Sequence, residues 1–484
     1  MVRLWIQQIR GRPKILVKID KSFPVKASMT RRVLEVSHAF GIDIDEERKH
    51  TIYSGFMLEI NPGDIIYITG ESGSGKSVLL REISGILSRR REFGGVVMDR
   101  ELMIDDDEVI IEGIGRDTSE AIEILNSVGL GEAFLFLKRY IELSDGQKYR
   151  YQLAKALCMG RKTIAMDEFC STLDRDTAKV VAYLFQKYVR RNGMTLIAAT
   201  THRDLLEDLR PTVLVEKKLG PDVNVSYYTW QDGPCSLMKE ITIEPGDLSD
   251  YEALSGFHYR GRKPPCIAKI YRAVRNGELC GVIVYVSAIT HPLLRGRHIV
   301  FPQLLEIYRT RGLKKLVEVI KRNILRIARV VVYPKYRGIG LGTRLVRETM
   351  PLTEYPVIEA LAVMARYNPF FERAGLRRIS YDTSLDEQRR RLIFRLQKEF
   401  PDLDAESISE PSYISRYVEN LSIKRLKKLV KIVSKTLTQP PTKLRKNTRK
   451  IRTRKELVKM LLSLRLPPIY YVWKNPAKKP EWEE

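Results

Sequence analysis

The first residues in this 484-residue chain with the types and spacing for chemistry are Gly70-Glu71-Ser72-Gly73-Ser74-Gly75-Lys76-Ser77. The pattern G-x-x-x-x-G-K-S brings main-chain N–H groups close to an anion. It adds a lysine that reaches the outer phosphates of a nucleoside triphosphate and a hydroxyl that ligates Mg2+. The preceding run, Asp64-Ile65-Ile66-Tyr67-Ile68-Thr69, has the apolar character of a buried strand, and Val78–Ile83 opens a helical pattern. The loop therefore lies between a strand end and a helix N-terminus, where free N–H groups and the helix dipole both favour phosphate. Gly70, Ser72, Gly73, Gly75, Lys76 and Ser77 are the candidate nucleotide-binding residues.

Further along, Leu143-Ser144-Asp145-Gly146-Gln147 opens the helical segment Lys148–Leu157, a second helix start suited to an anion. The apolar run Thr163–Met166 ends in Asp167 and Glu168. Paired carboxylates beyond a strand end can hold Mg2+ through water (Asp167) and polarise an attacking water (Glu168). Ser171–Asp174 reads as a turn, and Thr195–Thr201 reads as a strand leading into His202. Upstream, Arg32–Ser37 reads as a strand. Phe40 after it could stack on a base or simply join a core.

In this order and spacing, residues 31–232 resemble an ABC-type ATPase domain. Gly70–Ser77 matches the Walker A motif, Leu143–Gln147 the signature, and Ile164–Glu168 Walker B with its catalytic glutamate. Ser171–Asp174 matches the D-loop and His202 the switch histidine. The resemblance implies ATP and Mg2+ as ligands, with Ser77 and Asp167 on the metal. It also implies a head-to-tail homodimer in which Ser144, Gly146, Gln147 and Asp174 of one copy face the nucleotide of the other. Two departures stand out. Asp145 replaces the family's glycine and sets a carboxylate near phosphate. No glutamine lies between Ser77 and Asp145, so the Q-loop residue is absent, with Glu112 a possible stand-in.

After Gly233-Pro234 a second chemistry begins. Gly277–Val286 reads as a hairpin turn and strand. Ala328–Pro334, another strand, runs through Lys335-Tyr336-Arg337-Gly338-Ile339-Gly340-Leu341-Gly342-Thr343 into the helical Arg344–Glu348. Such a loop could hold a pyrophosphate through its N–H groups, but it lacks the GK[ST] needed for a triphosphate and Mg2+. Residues 236–385 resemble the GNAT acetyltransferases, whose acyl-CoA loop is Q/R-x-x-G-x-G/A. Arg337, Gly338, Gly340, Gly342 and Thr343 are the residues this resemblance assigns to acetyl-CoA. It also implies a general acid, but Phe371 stands where many members have tyrosine. Tyr367, Tyr336 and His258 are the alternatives. The ATPase-then-GNAT arrangement resembles a family of archaeal fusion proteins, and the acetyltransferase half bears a fainter resemblance to the phage Mom-type DNA-modifying GNATs.

The totals bound the rest. The net charge is +25, with hydrophobic residues at 44%. Lys443, Arg445, Lys446, Arg449, Lys450, Arg452, Arg454 and Lys455 crowd one stretch near the C-terminus, as expected for a polyanion-binding surface. Tyr470, Tyr471 and Trp473 could stack on unpaired bases or pin the tail to the body. Five cysteines without C-x-x-C spacing suggest a reducing compartment and no zinc site. No run approaches the roughly 18 apolar residues of a membrane span, and no secretory signal is evident.

The expected fold is α/β. A basic extension (1–30) precedes an ABC-type P-loop ATPase domain (31–232). A GNAT α+β domain (236–385) and a basic, mainly helical C-terminal region (386–484) follow. The expected function is a cytoplasmic, ATP-hydrolysing, acetyl-CoA-dependent N-acyltransferase acting on RNA or DNA. The rival readings are a nucleotide-regulated protein acetyltransferase and an ATPase whose GNAT half only binds CoA.

Overall fold

The structure is a computed structural model that describes residues 4–9, 12–25, 30–41, 48–258, 264–362, 369–379, 392, 394–396, 398–403, 411–437, 453–462 and 469–483. Strands β1 (Leu4–Ile9), β2 (Arg12–Val25) and β3 (Arg48–Ile60) form an antiparallel sheet in that order. On β2, Ile15, Val17 and Ile19 are buried while Leu16 and Lys18 are partly exposed, the period-2 alternation of a half-covered strand.

The stretch expected as a strand at Arg32–Ser37 is instead a helix, α1 (Arg31–Phe40). The Thr30 hydroxyl accepts from the Val33 amide at its start, and Gly41 closes its end at φ 62°. These caps outweigh the β-branched side chains between them. Phe40 lies in its last turn and is 75% exposed.

A six-stranded sheet carries the first site. Its strands are β4 (Ile65–Gly70), β5 (Val96–Met98), β6 (Thr163–Met166), β7 (Thr195–Thr200), β8 (Val213–Lys217) and β9 (Val223–Tyr227), in the order β5-β6-β7-β4-β8-β9. All neighbours are parallel except the edge pair β8/β9. Helices α2 (Lys76–Leu87), α3 (Thr118–Ser127), α4 (Asp145–Cys158), α5 (Arg175–Arg191) and α6 (Leu206–Leu209) connect them. Ile66 and Ile68 of β4 face Leu79, Leu80 and Ile83 of α2, whereas Ile65 and Tyr67 join Leu153, Phe185 and Leu196 in a separate core. A parallel strand covered on both faces needs apolar residues at every position, which is why β4 reads as an unbroken run.

The later elements are β10 (Thr242–Pro245), α7 (Leu248–Ser255), β11 (Ile267–Arg275), β12 (Glu278–Ser287), α8 (Arg295–Val300), α9 (Gln303–Asn323), β13 (Ile324–Val332), α10 (Leu341–Leu352), β14 (Val357–Ala362), α11 (Phe370–Arg373), β15 (Arg377–Ile379) and β16 (Ile469–Lys474). Their strands lie in the order β10-β11-β12-β13-β14-β16-β15. The hairpin expected at Gly277 is present between β11 and β12, with Asn276 at φ 49° and Gly277 at φ 83°. Two successive positive φ values match the twist of a tight hairpin. The aromatic run near the C-terminus is β16, paired antiparallel with β14 and β15. Tyr470 and Tyr471 are fully buried there, so neither can stack on a nucleic-acid base.

By internal packing the chain divides into two compact units. The first comprises Met1–Lys263, Ile270–Ile283 and Val330–Leu345; the second comprises Pro264–Lys269, Val284–Arg329 and Val346–Glu484. Helices Pro411–Asn420, Ile423–Leu437 and Arg454–Leu462 in the second unit share a core that includes Ile414, Val418, Leu429, Val433, Leu457 and Leu461. The basic residues 443–452 and Tyr367 lie outside the described residues. Among the described residues, no helix is long and apolar enough to cross a membrane.

Candidate nucleotide site

Close packing fixes the backbone of the Gly70–Ser77 loop. Gly70 has φ 144°, and a Cβ there would meet the Lys217 carbonyl oxygen at 1.9 Å, so no side chain fits. Gly73 (φ 74°) and Gly75 (φ 100°) adopt backbone angles that other residues take only under strain. The Tyr53 hydroxyl of β3 donates to the Gly75 carbonyl at 3.0 Å and pins the start of α2.

Lys76 is 6% exposed and folds back so that Nζ donates to the Glu71 carbonyl at 2.7 Å. Burial lowers its pKa, while the nearby carboxylates Glu168 and Asp167 favour the charged form. A phosphate in the loop would exchange that single neutral acceptor for a charged one. Among the described residues, the buried Ser74 hydroxyl has no hydrogen-bond partner, a polar atom left over for a ligand.

The Ser77 hydroxyl donates to Asp167 Oδ1 at 3.0 Å, bringing together the two residues expected at the metal. Among the described residues, no group of three or more His, Cys, Asp or Glu side chains is arranged to hold a metal ion. These two hard oxygen donors fit Mg2+, which takes few protein ligands and completes its shell with phosphate and water oxygens. A bound Mg2+ would supply charge neutralisation on the phosphate chain. Glu168, the next residue, has φ 48°, and Cys170 has φ 57°. The chain turns sharply here. The Ser171 amide and hydroxyl donate to the Glu168 carbonyl at 3.0 and 2.8 Å, holding the turn while the Glu168 carboxylate stays exposed.

One neighbour escaped the sequence reading. Asp99 follows β5, whose Met98 pairs with Ala165 of β6, so parallel pairing carries Asp99 toward Asp167. Burial, reinforced by the charge of Asp167, raises its pKa against hydrogen bonds from the Arg100 and Asp167 amides. Glu112, the expected stand-in for the missing glutamine, is exposed in the turn closed by Glu112 N–H to the Val109 carbonyl at 2.9 Å. The signal for Asp99 was slight: a three-residue strand inside a polar stretch.

Ser144 caps α4, and its amide donates to the Gln147 side-chain oxygen at 3.1 Å. Asp145 occupies the first turn, where the helix dipole favours its charge. Asp174 caps α5 by accepting from the Thr177 amide at 3.0 Å. A Cβ on Gly146 would lie 3.2 Å from Leu173, so the signature and D-loop are neighbours. Among the described residues, none of the hydrogen bonds of Ser144, Gly146, Gln147 or Asp174 reaches the Gly70–Ser77 loop. The His202 carbonyl accepts from the hydroxyls of Tyr67 and Thr69, which fixes the main chain beyond β7 to β4.

At the second loop, Gly338 (φ 84°) and Gly340 (φ 101°) turn the chain from β13 into α10, and Gly342 and Thr343 lie in the first helical turn. Arg337 does not extend outward. Its Nε and Nη2 donate to the carbonyls of Val332 and Phe257, each at 3.0 Å. This brings the turn containing His258 beside the loop, with the rings of Phe257 and Tyr333 5.3 Å apart. Tyr336 is fully buried and donates to Glu278 at 2.7 Å, which removes it as an acid facing a substrate.

Comparisons with known proteins bear on the first site. The family model described as ABC transporter matches residues 53–171. The methionine import ATP-binding protein MetN of Clostridioides difficile is 28% identical over 193 residues, covering 33% of this chain and 60% of that protein. The aliphatic sulfonates import protein SsuB 1 of Paraburkholderia xenovorans is 32% identical over 166 residues, covering 31% and 48%. The lipoprotein-releasing protein LolD of Maricaulis maris is 28% identical over 211 residues, covering 37% and 91%. The chain thus spans less than two thirds of the length of the MetN and SsuB relatives. A solved dimeric ATP-binding cassette, MJ0796 bound to ADP and Pi, aligns with TM-score 0.32 and 19% identity over 38% of this chain and 93% of that one. The N-terminal part of the chain therefore carries an ATP-binding ABC ATPase domain.

Proposed function

We propose that this protein is an ATP-hydrolysing enzyme whose C-terminal half transfers an acyl group from acyl-CoA to an amine on nucleic acid. The observation that carries the transfer reading is the second strand–glycine loop–helix turn. Main-chain N–H groups of a first helical turn have no intrahelical acceptor. At Leu341–Thr343 they lie beyond two glycines with positive φ, the arrangement that suits a pyrophosphate.

A second feature supports it. β13 and β14 pair in parallel from Ile324↔Val357 to Ile327↔Ala360, and β13 continues to Val332 beyond the last rung. Main-chain groups past such a parting can bind an extended pantetheine arm and polarise a thioester carbonyl. In the transfer, the amine nitrogen attacks that carbonyl carbon, the C–S bond breaks with its electron pair going to sulfur, and the amine proton passes through a base to that sulfur, so CoA leaves as thiol. His258, in the turn beside Arg337, is the candidate among the described residues to handle the proton. The net charge of +25 supports a polyanionic acceptor.

For the ATPase, Lys76 holds the outer phosphates, Ser77 and Asp167 hold Mg2+, Glu168 orients the attacking water, and His202 takes the switch-histidine role that the resemblance assigns to it. The signature and D-loop serve the nucleotide of a second copy in a head-to-tail homodimer.

Label transfer from [14C]acetyl-CoA to deproteinised RNA, DNA and protein, with and without ATP, tests this reading. ATP-dependent label in nucleic acid is expected. Label confined to protein moves the acceptor, and no label with ATP hydrolysis intact removes the transferase.

A further inference from the structure

The second glycine loop hangs from the helix that follows the D-loop. Asp174 caps α5, and Asp176 stands in its first turn. Asp176 Oδ2 receives Arg275 Nη1 at 2.8 Å and Lys335 Nζ at 3.2 Å. Lys335 also pairs with Glu278 at 2.8 Å, and Arg275 Nε reaches Glu240 at 2.6 Å. The Tyr336 hydroxyl donates to Glu278 at 2.7 Å and accepts from Arg275 at 3.4 Å. Further along the same helix, a Cβ on Gly338 would lie 2.8 Å from Leu184. Residues 335–338 are therefore fixed to α5 at both ends, by ions at one and by close packing at the other.

The side chains of Arg275, Lys335 and Asp176 are 12, 22 and 23% exposed, so these pairs are partly withdrawn from water. Burial opposes ionisation of Asp176, yet the hydrogen bonds and charges of Arg275 and Lys335 outweigh it and hold the carboxyl below its ordinary range. Removing one member of such a cluster leaves its partners uncompensated, unlike the loss of an exposed pair. The cluster is a stiff link of short reach: Asp176 is two residues from the D-loop aspartate, and Lys335 is two residues before Arg337.

We propose that Asp176 is a positioning residue shared by two sites, through which nucleotide bound at the ATPase site changes the main chain of the Lys335–Gly340 loop. This deepens the acyl-CoA reading by naming the regulation of that loop, and it rests on that reading only for what the loop holds. By linkage, a nucleotide that alters CoA affinity has its own affinity altered by CoA to the same factor.

Amide hydrogen exchange on the full chain carrying Glu168→Gln, with and without ATP and Mg2+, tests the link. Nucleotide is expected to change exchange in peptides covering 334–343 by about fivefold, the low end of measured couplings. Adding Asp176→Asn should abolish that change while nucleotide still protects Gly70–Ser77, and Asp176→Glu should restore it in part. Protection of Gly70–Ser77 reports that the variants are folded, and Lys335→Met gives a second cut of the same link. An unresponsive 334–343 segment, or a response unaltered by both Asp176→Asn and Lys335→Met, overturns the proposal. CoA titration of the same samples separates the two readings. A responsive loop that binds no CoA supports the link and removes the acyl-CoA reading. A CoA-binding loop that ignores nucleotide keeps that reading and overturns the link.

Discussion

At Gly70–Ser77 and again at Arg337–Thr343, a strand passes through glycines with positive φ into the first turn of a helix. The backbones follow one plan, but the side chains do not. The first loop buries Lys76 near Asp167 and Glu168 and sets a hydroxyl against a carboxylate. The second commits its arginine to two main-chain carbonyls. Glycines make a loop able to receive an anion. The charged groups around it decide which anion suits it: Lys76, Ser77 and Asp167 suit a triphosphate with a metal, and the proposed ligand of the second loop is a pyrophosphate held by N–H groups.

The largest expected effects separate the two loops. Glu168→Gln should lower ATP turnover by about 1,000-fold, within the range for a lost general base, while nucleotide still binds. Steady-state phosphate release and nucleotide titration read the two quantities. Lys76→Ala should cost about 100-fold in kcat/KM for ATP by removing a charge aimed at the phosphates. An equal loss of CoA affinity in Lys76→Ala would erase the distinction between the loops. Gly340→Val forces a β-branched residue to φ 101°, at a strain of about 1–3 kcal/mol. It should weaken CoA binding by about tenfold, read by calorimetry, with a smaller effect on ATP hydrolysis.

Smaller effects sharpen the first loop. Asp145→Asn removes a carboxylate from the signature. It should speed ATP hydrolysis a few-fold and cost about 0.5 kcal/mol of stability, because the helix N-terminus loses a favourable charge. The smallest effect concerns Asp176. Its folded pKa is lowered, so its contribution is complete above the unfolded carboxylate value of about 3.9 and is lost as pH falls toward the folded value. Thermal melts at decreasing pH should show a shallower acid limb in Asp176→Asn than in the native protein.

Much of the first site was legible because its parts are local. Glycine at 70, 73 and 75, lysine at 76 and serine at 77 form one turn, and a buried parallel strand declares itself by an unbroken apolar run. Arg32–Ser37 misled because Val33 and Val36 carry strand propensity, whereas the deciding groups, Thr30 and Gly41, flank the segment. Asp99 was invisible because its position depends on β5 pairing with β6, a strand some 65 residues later. For Tyr470 and Tyr471 the sequence left two readings open, stacking on bases or pinning the tail to the body, and their burial decides for the second. Their burial follows from pairing with β14, more than 100 residues upstream.

The sequence by itself determined the strand–glycine loop–helix turn at Gly70–Ser77, the Asp167-Glu168 pair at a strand end, and the second R-x-x-G-x-G turn. Each is a short-range pattern whose chemistry is written in adjacent residues. Only the tertiary structure decided that Asp99 stands near Asp167, that Arg337 is spent on carbonyls, and that Asp176 of the ATPase helix holds Lys335. Those relations arise where distant segments pack and desolvate one another, and charges meet there at distances that no spacing along the chain encodes.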